Sequence, residues 1–180
     1  SSLILLLISP LMLFLAIGVK ISSPGPIFYK QSRVGWNGKD FQILKFRSMP
    51  IGSDTQTAQV TNTSVTLNDS PDHKVKSRFG AFIRNYSLDE LPQFINVLQG
   101  SMSIVGPRPE RSTHVPILRK KIPSYMQKHL VKAGISGWAQ VNGWRGDTSL
   151  EKRIEFDIDY IKNWSLALDL KIIILTIFKG

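Results

Sequence analysis

Residues 84–99 read RNYSLDELPQFINVLQ, and two adjacent carboxylates, Asp89 and Glu90, stand where the helical pattern begins. Ser87 followed three residues later by Glu90 fits a capping box, in which each side chain takes up a backbone N–H left unpaired in the first turn. Pro92 lacks the N–H that would bond the Leu88 carbonyl, so the pattern predicts a helix that kinks just past the pair. Beside free donors and the positive end of a helix dipole the carboxylates stay ionised, and a cation or phosphate finds a place to dock. A charged carboxylate held there is a candidate nucleophile or metal ligand. The same residues also make an ordinary amphipathic helix, capped by Ser87 and Glu90, with Leu91, Phe94, Ile95 and Leu98 on its buried face. On this stretch alone the plainer reading comes first, because capping boxes are common and active sites few.

Working outward, 180 residues leave room for one domain with a core of its own. There is no cysteine, which excludes disulfides and thiolate-bound metals. The net charge of +10 implies an anionic partner: nucleic acid, a phospholipid surface or a phosphorylated substrate. No Walker loop, HExxH or GxGxxG occurs, and His73, His114 and His129 show no ligand spacing. Any metal is therefore expected to be a hard cation on oxygen ligands, such as Mg²⁺, which binds through one or two carboxylates plus substrate phosphates.

The chain begins inside an apolar segment, which points to a longer parent. Leu3 to Val19 is apolar except for Ser9, Pro10 and Gly18, and its 17 residues reach only the low end of a bilayer span. Pro10 removes a helix bond and the Ser9 hydroxyl can satisfy a freed carbonyl, so a bent helix that enters and leaves the same leaflet is expected over a simple crossing. No signal-peptide pattern is present. The cations that follow, from Lys20 to Arg47, place the polar body on the cytoplasmic side if the positive-inside bias holds. Ser22 to Pro26 makes a turn, and Ile27–Val34 and Phe41–Met49 read as strands around Asn37-Gly38, a strong hairpin signal. The period of two sets Lys45 and Arg47 on one face of the second strand; solvated strand charges would look the same.

Pro50 to Lys74 reads as a long loop. Phe79, Phe82, Ile83 and Tyr86 then fall at helical spacing and are expected to pack inward, with Arg84 off that stripe and five residues ahead of Asp89. Pro107 and Pro109 fix the backbone on both sides of Arg108, so its guanidinium loses less entropy in gripping a phosphate. A helix is expected over 123–132, ending at Gly134. Gly134, Gly137, Gly143 and Gly146 would let backbone approach a ligand, with Trp138 and Trp144 packing on a sugar or sitting at a membrane interface beside Arg145. Thr148 and Glu151 predict a second capping box. The apolar tail from Leu166 to Phe178 is too short to cross a bilayer; it completes the core or lies on the membrane with Trp164 and Lys179 near the headgroups. These elements make an α+β fold, mainly helical, with a membrane helix, a small β-hairpin and amphipathic surface helices.

Three stretches together, SPGPIFYKQSRVGWNGKDFQILKFRSM, SLDELPQFINVLQGSMSIVGPRPE and GISGWAQVNGWRG, resemble the bacterial sugar transferase family, the monotopic polyprenyl-phosphate phosphoglycosyl transferases. The likeness runs from Ser9 to Lys179, in the family's order. The tail looks most like members that start exopolysaccharide or O-antigen synthesis with glucose or galactose phosphate. The resemblance implies a re-entrant membrane helix over residues 1–20, broken at Ser9 and Pro10, and a cytoplasmic catalytic domain over 21–180 at the bacterial inner membrane. It implies transfer of a sugar 1-phosphate from a UDP-sugar to undecaprenyl phosphate, with release of UMP, a requirement for Mg²⁺ and, by analogy, a homodimer; nucleic acid is not an expected partner. It maps catalysis onto Asp89, the covalent nucleophile and metal ligand, and Glu90, and substrate-phosphate binding onto Lys45, Arg47, Arg84, Arg108 and Arg145. Ala133 departs from the Pro that relatives often carry before the Gly. The rival classes are a basic membrane-surface binding module, which leaves the placement of Asp89 and Glu90 unexplained, and a scaffold for other polysaccharide enzymes.

Overall fold

The computed structural model describes residues 2–50, 58–60, 65–67, 77–146 and 148–179. In chain order the elements are α1 (Ser2–Ser22), β1 (Phe28–Val34), β2 (Asp40–Phe46), β3 (Ala58–Val60), β4 (Val65–Leu67), α2 (Arg78–Asn85), α3 (Gln93–Leu98), β5 (Ser103–Val105), β6 (Glu110–Arg111), α4 (Val115–Lys121), β7 (Gly134–Ser136), α5 (Trp138–Val141), α6 (Leu150–Lys162) and α7 (Leu166–Lys179). Helix and sheet are mixed, as the α+β reading expects. The chain divides into two compact units, one of residues 1–31, 42–55 and 70–100, the other of 32–41, 56–69 and 101–180.

In the first unit, α1 is 21 residues long, reaches past the apolar run to Ser22, and is long and apolar enough to cross a membrane. It continues through Pro10. The Ser9 hydroxyl donates to the Leu6 carbonyl at 2.8 Å, the group that Pro10, four residues on, leaves without an N–H partner. Leu15 and Val19 are buried with Phe46 and Ile83, and Met12, Ala16, Phe79, Leu88 and Leu91 pack around them. Leu3, Leu6, Leu7, Leu13, Phe14 and Ile21 are exposed, so most of the apolar surface of α1 has no protein against it. A Cβ on Gly18 would lie 2.2 Å from the Phe79 ring; glycine alone lets α1 and α2 approach so closely.

The expected hairpin forms. Asn37 (φ 54°) and Gly38 (φ 70°) both take the left-handed conformation, and the Lys39 N–H closes the turn on the Trp36 carbonyl at 3.1 Å. The second strand ends at Phe46, short of Met49. β6 adds to β1 antiparallel, pairing Arg33 with Arg111 and Val34 with Glu110, and the order β2-β1-β6 leaves β2 at an edge. Most of the expected 50–74 loop lies outside the described residues; within it β3 and β4 pair antiparallel, Ala58 with Leu67 through Val60 with Val65, where the sequence showed no strand pattern. Ser77 caps α2, accepting from the Gly80 N–H at 2.8 Å. The inward stripe expected of α2 is only half right. Ile83 is buried, but Phe82 and Tyr86 are 47% and 69% exposed and pack on each other with ring centroids 5.0 Å apart. The side of this short helix that meets the core is already filled by Phe79, Gly80 and Ile83.

In the second unit β5 and β7 run parallel, Ser103 opposite Gly134 and Val105 opposite Ser136. A Cβ on Gly134 would lie 2.1 Å from the Gly106 nitrogen, so this glycine admits the chain's own backbone rather than a ligand. The helix expected over 123–132 is replaced by α4, which ends at Lys121, and a 3-10 stretch from Tyr125 to Leu130 entered through a left-handed Ser124 (φ 65°). Ser149, not Thr148, caps α6, accepting from the Lys152 N–H at 3.3 Å. One core gathers Val34, Val115, Leu118, Ile122, Tyr125, Leu150 and Ile154; a second gathers Val105, Val141, Tyr160 and Ile172. α7 buries Ile172 and packs Leu168, Ile173 and Leu175, while Leu166, Leu170, Ile174, Ile177 and Phe178 stay exposed. It completes the core with one side only.

Candidate active site

The chain leaves α2 at Tyr86, and Ser87 turns it in the left-handed conformation (φ 54°) into one 3-10 turn, Leu88–Glu90. That φ is incompatible with the extended geometry of an N-cap, so the expected capping box does not form and the Glu90 N–H bonds the Ser87 carbonyl at 3.1 Å instead. Pro92 follows at the start of α3, where its missing N–H has no partner to lose, and no helix is kinked. The expected buried face holds in part: Leu91 packs on the core and Phe94 and Ile95 are partly buried. Gln93 and Asn96 are the buried residues, each 2% exposed, while Leu98 is exposed. The cause is the edge strand: the Asn96 amide accepts from the Leu44 N–H at 2.9 Å and donates to the Gln42 carbonyl at 2.8 Å, standing in for a neighbouring strand.

Asp89 is 6% exposed and engaged within the fold, whereas the transferase reading asks for an aspartate bare at the water–lipid boundary. Glu90 is half-buried, and its Oε1 accepts from Lys45 Nζ at 2.7 Å. Lys45 thus reaches Glu90 from β2. Arg47 does not stand beside it: β2 has ended, and the buried guanidinium donates to the carbonyls of Pro24, Ser23 (2.7 Å) and Val19 (3.5 Å). It caps the end of α1 and the turn after it, which removes it from the expected phosphate-binding face. Arg84, in the last turn of α2, is half-buried with Nη1 3.1 Å from the Met49 sulfur, a weak acceptor.

Arg108 and Arg145 belong to the second unit. Arg108 is half-exposed between buried Pro107 and Pro109. Arg145 is exposed between Gly143 (φ 86°) and Gly146 (φ 64°). Trp138 and Trp144 flank Phe156 of α6, with centroids 6.5 and 6.1 Å away, and Lys171 lies 5.2 Å over the Trp138 ring.

Behind Arg108 lies a buried ionic cluster that the sequence did not announce. Lys128 Nζ is 3.0 Å from Asp157 and 3.8 Å from Glu110, and Arg153 is 3.5 Å from Glu110. Burial alone would raise the Glu110 carboxyl, but Lys128 and Arg153, with Arg33 and Arg108 beyond them, hold it below its ordinary value. For Asp157 burial wins over Lys128 and the carboxyl is pushed up. Burial and the Lys128 charge push His129 down to about 4, against a hydrogen bond with the Gly35 backbone. Charged residues at helical spacing read as a solvated face, so nothing in the pattern marked Lys128, Arg153 or Asp157 as interior. Among the described residues no three His, Cys, Asp or Glu side chains gather as a metal site.

A family model described as bacterial sugar transferase matches residues 1–180. The chain belongs to the bacterial sugar transferase family. It is 51% identical over 184 residues to the UDP-glucose:undecaprenyl-phosphate glucose-1-phosphate transferase of Escherichia coli (strain K12), covering 100% of this chain and 38% of that protein. It is 54% identical over 171 residues to the protein of the same name in Xanthomonas campestris pv. campestris, covering 93% and 34%. A third relative, from Aeromonas hydrophila, is 47% identical over 173 residues, covering 95% and 39%, and is named a UDP-N-acetylgalactosamine-undecaprenyl-phosphate N-acetylgalactosaminephosphotransferase. The chain spans little more than a third of the length of these curated relatives. Within the bacterial sugar transferase family, then, close relatives carry different sugars in their names.

Proposed function

We propose that the chain is a membrane phosphoglycosyl transferase that moves a hexose 1-phosphate from a UDP-sugar to undecaprenyl phosphate, the first step of exopolysaccharide or O-antigen assembly. The observation that carries this is the Lys45–Glu90 contact of 2.7 Å beside the buried Asp89, a cation brought by a rigid strand to a carboxylate pair. Family membership and the names of the relatives agree with it.

In this reading an Asp89 oxygen attacks the sugar-bearing phosphorus of the UDP-sugar. The bond from that phosphorus to the bridging oxygen breaks, and UMP leaves with the electron pair. A phosphate oxygen of undecaprenyl phosphate then attacks the same phosphorus and returns the Asp89 carboxylate, leaving a lipid diphospho-sugar. Splitting the transfer in two lets each attack proceed on one neutralised phosphorus. Asp89 is 6% exposed, so both attacks need its side chain uncovered as substrate binds. Lys45 holds Glu90 in place and tempers its charge against the incoming diphosphate. Arg84 is assigned to phosphate binding in the first unit, and Arg108 and Arg145 in the second. Asp89 offers Mg²⁺ one carboxylate, which fits a metal completed by substrate oxygens and not an all-protein cage; when bound, the ion would neutralise charge on the diphosphate. The exposed apolar length of α1 would seat the chain in the inner membrane as a re-entrant helix, with the polar body on the cytoplasmic face.

The test is UMP release by the purified chain across a panel of UDP-sugars, with and without undecaprenyl phosphate and Mg²⁺. Sustained release that needs both additions supports the transferase. A properly inserted chain that releases no UMP from any UDP-sugar would leave a binding module or a scaffold in its place.

A further inference from the structure

Asn96 lies six residues beyond Glu90, and its amide fixes the strand that carries Lys45. In a strand, N–H and C=O of residues i and i+2 point to the same edge. Gln42 and Leu44 therefore present a carbonyl and an N–H to the open side of β2, and a primary amide is the one side chain whose donor and acceptor match both. Asn96 makes both bonds, at 2.8 and 2.9 Å, while itself 2% exposed. Lys45, next in sequence to Leu44, then closes the loop by meeting Glu90 at 2.7 Å. Strand, ion pair, 3-10 turn and α3 form one ring of contacts within the first unit.

We infer that Asn96 is a positioning residue: its amide sets the register of α3 against β2 and thereby holds the Lys45 ammonium on Glu90, beside the nucleophile. The inference rests on the transferase reading for its effect on rate, but its geometric half stands without it. A long lysine side chain on a free sheet edge samples many rotamers; on an edge pinned on both sides of residue 43 the backbone origin of Lys45 no longer moves.

Two measurements on the membrane-inserted chain test it. The first is acylation of Lys45 by an amine-reactive ester, read by mass spectrometry against the exposed Lys152. Asn96→Ala is expected to raise the relative labelling of Lys45 about tenfold, as the ammonium leaves Glu90. Asn96→Asp, which keeps the acceptor for Leu44 but sets a carboxylate against the Gln42 carbonyl, is expected to do the same and serves if the alanine variant does not fold. Unchanged labelling in a folded variant overturns the inference, whether or not the wild-type chain releases UMP; a wild-type chain without UMP release speaks against the transferase reading alone. The second is a double-mutant cycle on kcat for UMP release. Asn96→Ala is expected to cost about tenfold alone and less than about twofold in a Lys45→Gln background, because its effect runs through the lysine. Equal losses in both backgrounds would make Asn96 a purely structural residue.

Discussion

In the proposed reaction Asp89 has two requirements to meet. A nucleophilic carboxylate must be ionised, and an aspartyl phosphate must be kept from water. A 3-10 turn entered through a left-handed Ser87 meets the second by burying the side chain. Asp89→Asn keeps the shape but removes the attacking oxygen's charge and turns one acceptor into a donor, so UMP release should drop by at least about 10³-fold with the protein folded and membrane-bound, read by circular dichroism and flotation. Residual activity near wild-type, after contaminating native enzyme is ruled out, would remove Asp89 from that role. At this scale the sequence showed which residues stand together in the chain better than what they touch. The carboxylate pair was legible from SLDEL, but Ser87 reads as a cap to any pattern argument, and its positive φ (54°) is not a feature that residue spacing carries. Arg47 looked like a partner of Lys45 by the period of two. Its burial under three carbonyls follows from where β2 stops, which alternation alone does not fix.

Among the elements, α1 and α3 show what a helix pattern conceals. α3 turns its amides inward because the neighbouring strand is an unpaired edge, and that demand belongs to the sheet, not to the helix. The hairpin was legible because Asn37-Gly38 specifies a turn locally, whereas β6 is two residues long and forms only through long-range pairing. For α1 the Ser9 bond to the Leu6 carbonyl answers the loss at Pro10, as the sequence suggested. The proposed re-entrant course predicts that both ends of α1 face the cytoplasm. The chain has no cysteine, so single cysteines placed at Ser2 and Ser22 can be labelled against a silent background with a membrane-impermeant maleimide. Both should react in inverted vesicles and neither in right-side-out ones; reaction from opposite faces would make α1 a spanning helix.

At the scale of the molecule, the two units are stabilised differently. The first relies on a small apolar cluster under α1, the second on two apolar cores and a buried set of charges. Breaking that set by removing one partner leaves a charge without compensation, so Lys128→Met should destabilise the fold by about 3–5 kcal/mol in chemical denaturation. A loss under about 1 kcal/mol would show the cluster to be solvated in solution. His129 adds a pH dependence of known sign. Its folded pKa of about 4 lies below its ordinary 6.5, so the unfolded chain takes up a proton first, and stability falls as pH drops from about 6.5 toward 4. The melting temperature should decline over that window in the wild type and more gently in His129→Gln.

The central claim is a covalent bond to Asp89. The most direct measurement mixes the purified chain with UDP-sugar and Mg²⁺ but no undecaprenyl phosphate, quenches, and maps the modified peptide by mass spectrometry. The account predicts one hexose-phosphate adduct, on Asp89, formed with stoichiometric UMP and discharged when undecaprenyl phosphate is added. An adduct on another residue, or full transfer with no adduct at any time, would contradict it.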